Sequence, residues 1–312
     1  DGLPDIFFTA NSKGNNKLYL NKGNFEFEDI TEKAGVKGLS DWCTGVTMVD
    51  INSDGFLDIY VSTVSGRYNL KGHNELYINN KNNSFSESAE KFGLNTSCAT
   101  TQSAFIDYDR DGDLDMYLLN HSVHAVDSYG KASLRLRPDS LSGDRLYQNQ
   151  LIPTGKTNFK DVTSVAGIYS SRIGYGLGIG ISDLNNDGLP DIYVSNDFHE
   201  NDYLYINQHN GTFSEESSKQ LMHTSQFSMG VDVADVNNDG YPEIISMDML
   251  PSDPYILKRS LGEDEYDIFY HKIAYGYNYQ YTRNNLQYNC RNGMFSEIGL
   301  YSNVFATDWS WA

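Results

Sequence analysis

Apolar residues in this chain come in short runs separated by clusters of Gly, Asn, Asp and Ser. One set of runs reads Ile6-Phe7-Phe8, Ile59-Tyr60-Val61, Met116-Tyr117-Leu118, Ile192-Tyr193-Val194 and Ile244-Ile245. Each is followed by a Leu-Tyr-x-Asn segment: Leu18 to Asn21, Leu76 to Asn79, Leu146 to Asn149 and Leu204 to Asn207, with Leu286 to Asn289 as an imperfect copy. A Gly/Asn turn comes next, then a run opening at Phe25, Phe85, Phe159, Phe213 or Phe295. Small-residue runs such as Gly45 to Val49 and Gly176 to Ile181 come before the full copies. Runs this short, bounded by turn residues, predict strands. They group as four strands per unit, and the helix-length patterns that parallel βαβ repeats require are absent.

The units are tied by a polar motif. Asp50-Ile51-Asn52-Ser53-Asp54-Gly55-Phe56-Leu57-Asp58 recurs as Asp107 to Asp115, Asp183 to Asp191 and Asp235 to Glu243. Asp1 to Asp5 has the form of the tail of a further copy, so the natural N-terminus is expected upstream. The motif glycines stand at 2, 55, 112, 188 and 240, steps of about 53, 57, 76 and 52 residues. Four-stranded units at that period predict an all-β β-propeller of four-stranded blades, about five of them visible. We expect one propeller domain over 1–312, with repeats near 1–41, 42–98, 99–172, 173–225 and 226–301 and the start of another blade at 302–312.

The motif has the form D-x-[DN]-x-D-G-x-x-[DE]. Oxygens at positions one, three and five of a tight loop converge, and Gly at position six permits the reversal. Position seven offers a carbonyl and the acid at nine closes the shell. Hard oxygen donors at this density suit Ca²⁺. The expected ligands are Asp50, Asn52, Asp54, Phe56 and Asp58; Asp107, Asp109, Asp111, Asp113 and Asp115; Asp183, Asn185, Asp187, Leu189 and Asp191; Asp235, Asn237, Asp239, Tyr241 and Glu243; and Asp1 with Asp5. That makes four to five structural sites. An EF-hand is excluded because position twelve is Val61, Leu118, Val194 or Ser246 rather than Glu. Plain acidic β-turns are the alternative, but they do not require an acid at position nine.

Composition sharpens this. The 312 residues carry 42 Asp+Glu against 23 Lys+Arg, a net charge of −19, with 13% aromatics. No basic cluster exists, which argues against a nucleic-acid partner. No apolar run approaches the ~18 residues of a membrane span, so no transmembrane segment is expected in this chain. Cys43, Cys98 and Cys290 are too few and scattered for a disulfide framework and read as buried thiols.

On these residues the chain resembles the FG-GAP/VCBS repeat, the calcium-loop blade of integrin α-like propellers. A narrower resemblance, to bacterial VCBS-repeat proteins that often carry a C-terminal ASPIC/UnbV domain, rests on Asp248 to Pro251, Asn278 to Tyr281, Asn284 to Leu286 and Ala306 to Trp311. Relatives of this kind close rings of about seven blades, so the resemblance implies a fragment clipped at both ends; a five-bladed ring closing onto Asp1 is the alternative. It also implies an extracytoplasmic protein, at the cell surface, outer membrane-associated or secreted.

Two long insertions, at about 120–145 and 248–285, follow the second strand of their blades. Blade topology sends both to the face opposite the calcium loops. Long loops on rigid scaffolds carry function, so this face is the candidate ligand surface, with Asn120, His121, His124, Asn196, Asp197, His199, Glu200 and Asp248 along it. His121 and His124 form H-x-x-H without a clear third ligand, and His199-Glu200 reads as a rim hydrogen bond or an acid/base pair. Tyr275, Tyr277, Tyr279 and Tyr281 read as one strand face or an exposed aromatic surface, and Trp309 and Trp311 as strand core. The expected function is a calcium-stabilised, non-enzymatic binding or adhesion scaffold for a protein or glycan. A glycan hydrolase or lyase on the same rim, or a plain structural spacer, are the alternatives.

Overall fold

The computed structural model describes residues 2–125, 128–260 and 262–310. It divides into two compact units, one of Asp1–Asn120 with Arg145–Val162, the other of His121–Asp144 with Thr163–Ala312. The chain is all-β, built mostly of antiparallel four-stranded sheets that have the form of propeller blades.

In the first unit, β1 (Ile6–Phe8), β2 (Lys17–Asn21) and β3 (Phe27–Asp29) form a three-stranded sheet. The next blade runs β4 (Cys43–Val49), β5 (Asp58–Thr63), β6 (Glu75–Asn79) and β7 (Phe85–Glu87) in chain order. The third runs β8 (Thr100–Ile106), β9 (Asp115–Asn120), β10 (Arg145–Asn149) and β11 (Phe159–Asp161). The second unit holds β12 (Gly176–Ser182), β13 (Asp191–Asn196), β14 (Tyr203–Asn207) and β15 (Phe213–Glu215) as one blade. A short parallel pair, β16 (Thr224–Ser225) with β19 (Gln280–Tyr281), flanks the last blade, which orders β17 (Gly230–Ala234), β18 (Glu243–Met247), β20 (Asn285–Asn289) and β21 (Phe295–Glu297).

The second strand of each of the three middle blades is buried along its whole length, as in Asp58–Thr63. Burial on both faces explains why these strands read as continuous apolar runs instead of alternating. Tyr60, Tyr77 and Tyr117 in one unit and Tyr193, Tyr203 and Tyr205 in the other are fully buried. The outermost strands have three residues each, which keeps the exposed edges short.

Within each unit two neighbouring blades touch through their first strands, β4 with β8 and β12 with β17, and small residues allow it. A Cβ on Gly180 would sit 2.5 Å from Cγ2 of Val233 on β17, and one on Gly45 would sit 2.5 Å from the carbonyl oxygen of Thr101 on β8. The small-residue runs are therefore a packing requirement between blades.

Four expectations need correction. The first blade's last strand begins at Phe27; Phe25 lies in the turn, 97% exposed, with φ of 61°. The tyrosines from 275 to 281 do not share a strand face. Tyr275 ends a helix and is exposed, Tyr277 is buried, Tyr279 is exposed, and only Gln280–Tyr281 pair as a strand. Trp309 is exposed and lies outside any strand, while Trp311 falls outside the described residues. Cys43 and Cys98 are buried, but Cys290 is exposed.

Candidate functional site

The four complete acidic loops fold alike. Position one accepts from the backbone N–H groups of positions five and six: Asp50 from Asp54 (2.9 Å) and Gly55 (2.8 Å), Asp183 from Asp187 (3.0 Å) and Gly188 (2.7 Å), Asp235 from Asp239 (3.0 Å) and Gly240 (2.8 Å). In the Asp107 loop, Asp107 accepts from Gly112 at 3.2 Å. The acid at position five accepts from the N–H of position seven in every copy. Gly55, Gly112, Gly188 and Gly240 take φ between 87° and 98°, as the motif requires. The residue at position four is also left-handed, at Ser53, Arg110, Asn186 and Asn238.

The acid at position nine is buried and anchors the loop to its sheet. Asp58, Asp115 and Asp191 each accept through one oxygen from the position-two N–H, and through the other from the N–H of the Leu-Tyr-x-Asn asparagine, Asn79, Asn149 or Asn207. Asp5 accepts from Asn21 in the same way. Each asparagine returns the link: its Nδ2 donates to the position-eight carbonyl, at Pro4, Leu57, Leu114, Pro190 and Pro242. The Leu-Tyr-x-Asn signature is thus the second half of the acidic motif, a link that sequence spacing alone did not reveal.

Burial pushes these carboxyls up, Asp58 to about 6, Asp191 to about 7 and Asp115 to about 8; backbone donors pull them back and neighbouring loop acids raise them further. Acidic oxygens held this way match a cation's donor set. In one loop, an oxygen from each of Asp107, Asp109 and Asp115 lies within 4.8 Å of the other two. Side-chain donors sit beside several loops: Lys81 Nζ is 3.4 Å from Asp54, His209 Nε2 is 2.9 Å from Asp187, and Arg291 pairs with Asp239. Glu243 is long enough to accept from Asn237 Nδ2 at 2.9 Å, so this loop differs from the others. Phe56, Leu189 and Tyr241 stand at position seven, and Asp113 there accepts from the Ile152 N–H at 2.8 Å. Asp1 falls outside the described residues.

A family profile described as an FG-GAP-like repeat matches residues 1–61, 63–118 and 183–246, more than half of the chain. The chain belongs to the FG-GAP-like repeat family. Cartilage acidic protein 1 from Xenopus tropicalis is 26% identical over 188 residues, 60% of this chain. The chain spans about a quarter of that relative, 26% of its length. Among solved structures, a lectin from Agrocybe aegerita described as recognising non-reducing terminal N-acetylglucosamine aligns over 94% of this chain and 75% of its own, at 13% identity and a TM-score of 0.43.

Away from the FG-GAP loops, the second unit holds a cavity of about 600 Å³. The loop of the last blade opens one end of β18, and the segment bearing the cavity's helix, Tyr266–Ala274, leaves the other. Tyr129, Phe198, Phe227, Tyr275 and Tyr277 supply its aromatic walls. Three segments far apart in sequence are clamped to form it. Arg135 Nε lies 2.9 Å from Glu200 Oε1, and its Nη2 donates to Asn201 Oδ1 at 2.9 Å. The N–H of Asn278 donates to the same Asn201 oxygen, Gln280 Nε2 donates to the Glu200 carbonyl at 2.7 Å, and the Tyr277 hydroxyl donates to the Gly130 carbonyl at 3.0 Å.

Of the eight residues expected on the ligand face, His199 lines this cavity. Its Nε2–H donates to the Ser128 carbonyl at 3.2 Å, and burial pushes its pKa down to about 4, so the ring is neutral at pH 7. The His121 and His124 rings both lie against Tyr175. Asn196 bonds the Tyr175 N–H and the Asn201 carbonyl. The Asp197 carboxyl accepts from the Phe198 N–H and is raised to about 6 by burial. Glu200 is buried against Arg135, and Asp248 is buried beneath Ser225, Phe227 and Met249. In the first unit, Asn120 is buried and accepts from the Thr100 hydroxyl. The aromatic walls were missed apart from Tyr275 and Tyr277; aromatic density within a long insertion was a signal for Tyr129, while Phe198 and Phe227 lie outside both insertions and gave none.

Proposed function

We propose that this chain is a calcium-stabilised, non-enzymatic binding scaffold. The carrying observation is the repeated loop: four complete copies place carboxylates or amides at positions one, three, five and nine around one backbone turn. Asp50, Asn52, Asp54 and Asp58 would hold one ion, and the equivalent residues of the other loops, through Glu243, would hold theirs. Position-seven carbonyls would complete each shell. The ion offsets the repulsion of clustered acids and ties the end of a blade's first strand to the start of its second. Four bound ions would bring the formal charge from −19 to about −11. Sites of this kind fill at the millimolar calcium found outside cells, and similarity to a cartilage acidic protein agrees with an extracytoplasmic setting. Among the described residues, no helix is long and apolar enough to cross a membrane.

The partner, a protein or a glycan, would engage the surface built by residues 128–136 and 262–279. Binding to protein and glycan arrays, with and without EDTA, tests this reading. Saturable capture that is lost when either segment is trimmed supports it. Capture that survives both trims, or turnover of a polysaccharide, overturns it.

A further inference from the structure

The aromatic cavity has a chemical preference of its own. Its size suits a small organic molecule, since ligand pockets run from roughly 300 to 1,000 Å³. Two ring pairs of the lining stand at steep angles, Phe198 to Phe227 at 82° and His199 to Tyr277 at 88°, with centroids 5.8 and 5.4 Å apart, while Tyr129 stacks on His199 at 29°. Ring faces set as separate walls present several negative π-surfaces to one volume.

The polar groups of the lining are largely engaged with the protein. Asp264 accepts from Gln226 Nε2 at 3.1 Å and from Lys272 Nζ at 3.0 Å. His199 donates to Ser128, and His271 Nδ1–H donates to the Asp267 carbonyl at 2.7 Å. A ligand studded with hydroxyls, such as a sugar, would find few donors and acceptors in reserve. Among the charged lining residues, the carboxylates of Asp264 and Asp267 face a single ammonium, Lys272. The Asp267 side chain is exposed on the first turn of the helix. The excess negative charge disfavours an anion, and aromatic faces beside a carboxylate attract a cation.

We propose that this cavity binds a small organic cation carried on an apolar, ring-sized body, in the chemical class of quaternary and arylalkyl ammonium ions. The aromatic walls would hold the body and face the charge, with Asp267 at the rim. This deepens, and rests on, the reading of this surface as the binding face.

The test is calorimetric titration of the intact, calcium-loaded chain with benzyltrimethylammonium, its uncharged isostere neopentylbenzene, and N-acetylglucosamine. The cation is expected to bind saturably at one site, about 3- to 30-fold tighter than the isostere. Asp267→Asn should weaken the cation several-fold and leave the isostere unchanged. Tyr129→Leu, at an exposed rim position, should weaken the cation while unfolding by urea shows the fold intact. Equal affinity for cation and isostere, no cation binding at millimolar concentration, or preferential binding of N-acetylglucosamine would each overturn the proposal. Partner capture in the trimmed variants is scored separately, so the ligand class can fall while the binding face stands.

Discussion

The clamp beneath the cavity gives a prediction whose size follows from burial. Arg135 is 13% exposed at its side chain and Glu200 is 0% exposed, with Nε and Oε1 at 2.9 Å. Burial pushes the Glu200 carboxyl well up, and Arg135 pulls it back. Arg135→Ala leaves that carboxyl buried without its cation and removes one of the two donors to the Asn201 oxygen. Breaking such a pair costs about 3–5 kcal/mol when the remaining charge stays ionised. The remaining acid can escape by taking a proton, and this sets the pH dependence. An acid whose folded pKa lies above its unfolded value keeps full stability below the unfolded pKa and loses it as pH rises toward the folded one. Even beside Arg135, burial holds the Glu200 carboxyl at about 8. The Arg135→Ala penalty should therefore stay near 1 kcal/mol from pH 5 to about pH 7, mostly lost packing and hydrogen bonds, and grow toward about 3–5 kcal/mol only as pH rises past 8 to about 10. Urea unfolding of both proteins at about pH 5 and about pH 10 measures it. Arg135→Met with Glu200→Gln should recover more than half of the loss at the higher pH. A penalty below about 1 kcal/mol at about pH 10, or one equal at both pH values, would refute the clamp.

Three further predictions follow from packing, loop anchoring and the buried imidazole. Gly180→Val drives a methyl group into Val233 and should cost about 2–3 kcal/mol in urea unfolding, and a cost under 0.5 kcal/mol would mean the blades have slack there. Asn149→Ala removes the bonds from Nδ2 to the Leu114 carbonyl and from the Leu151 N–H to Oδ1 in a buried setting. It should cost about 2–3 kcal/mol, against ~1 kcal/mol for the more exposed Asn21→Ala, and equal costs would contradict the role of burial. His199 is held neutral with its pKa pushed down to about 4, so protons bind the unfolded state first as pH falls below 6.5. The native chain should lose up to about 3 kcal/mol between pH 6.5 and 4 that His199→Phe does not lose, and parallel pH profiles would sink this assignment.

Much of the fold was legible because its signals are local. The acidic loop is nine consecutive residues, and its turn glycine, apolar strand and Leu-Tyr-x-Asn segment all fall within one repeat. The structure put each of them on a strand or in the turn between strands. Phe25 misled because a second phenylalanine, Phe27, stands two residues on, and only the turn's left-handed backbone decides which one enters the sheet. The tyrosines from 275 to 281 alternate as a strand would, yet the helix Tyr266–Ala274 and the short parallel pairing of Gln280–Tyr281 take over the segment. That helix has no fully buried residue, so it left no apolar stripe to read. The cavity was hidden for a different reason. It depends on Arg135, Glu200 and Tyr277 meeting across long sequence separations, which no spacing rule encodes. His199 was singled out as polar rim, but its neutral state follows from burial that only the folded chain reveals.

The central claim is that the acidic loops hold divalent ions, and calcium removal tests it most directly. Extracellular oxygen sites bind with Kd of roughly 10⁻⁴–10⁻³ M. With Kd near 0.1 mM and ~1 mM Ca²⁺, each site adds about 1.4 kcal/mol. Four such sites add ~5–6 kcal/mol, comparable to a domain's whole margin. Calorimetric melting of the intact chain in calcium and in EDTA, with metal content measured after equilibrium dialysis, should show about four bound ions and a fall in Tm of ten degrees or more, roughly, on chelation. A chain that retains no calcium and melts at the same temperature in both buffers would contradict the account.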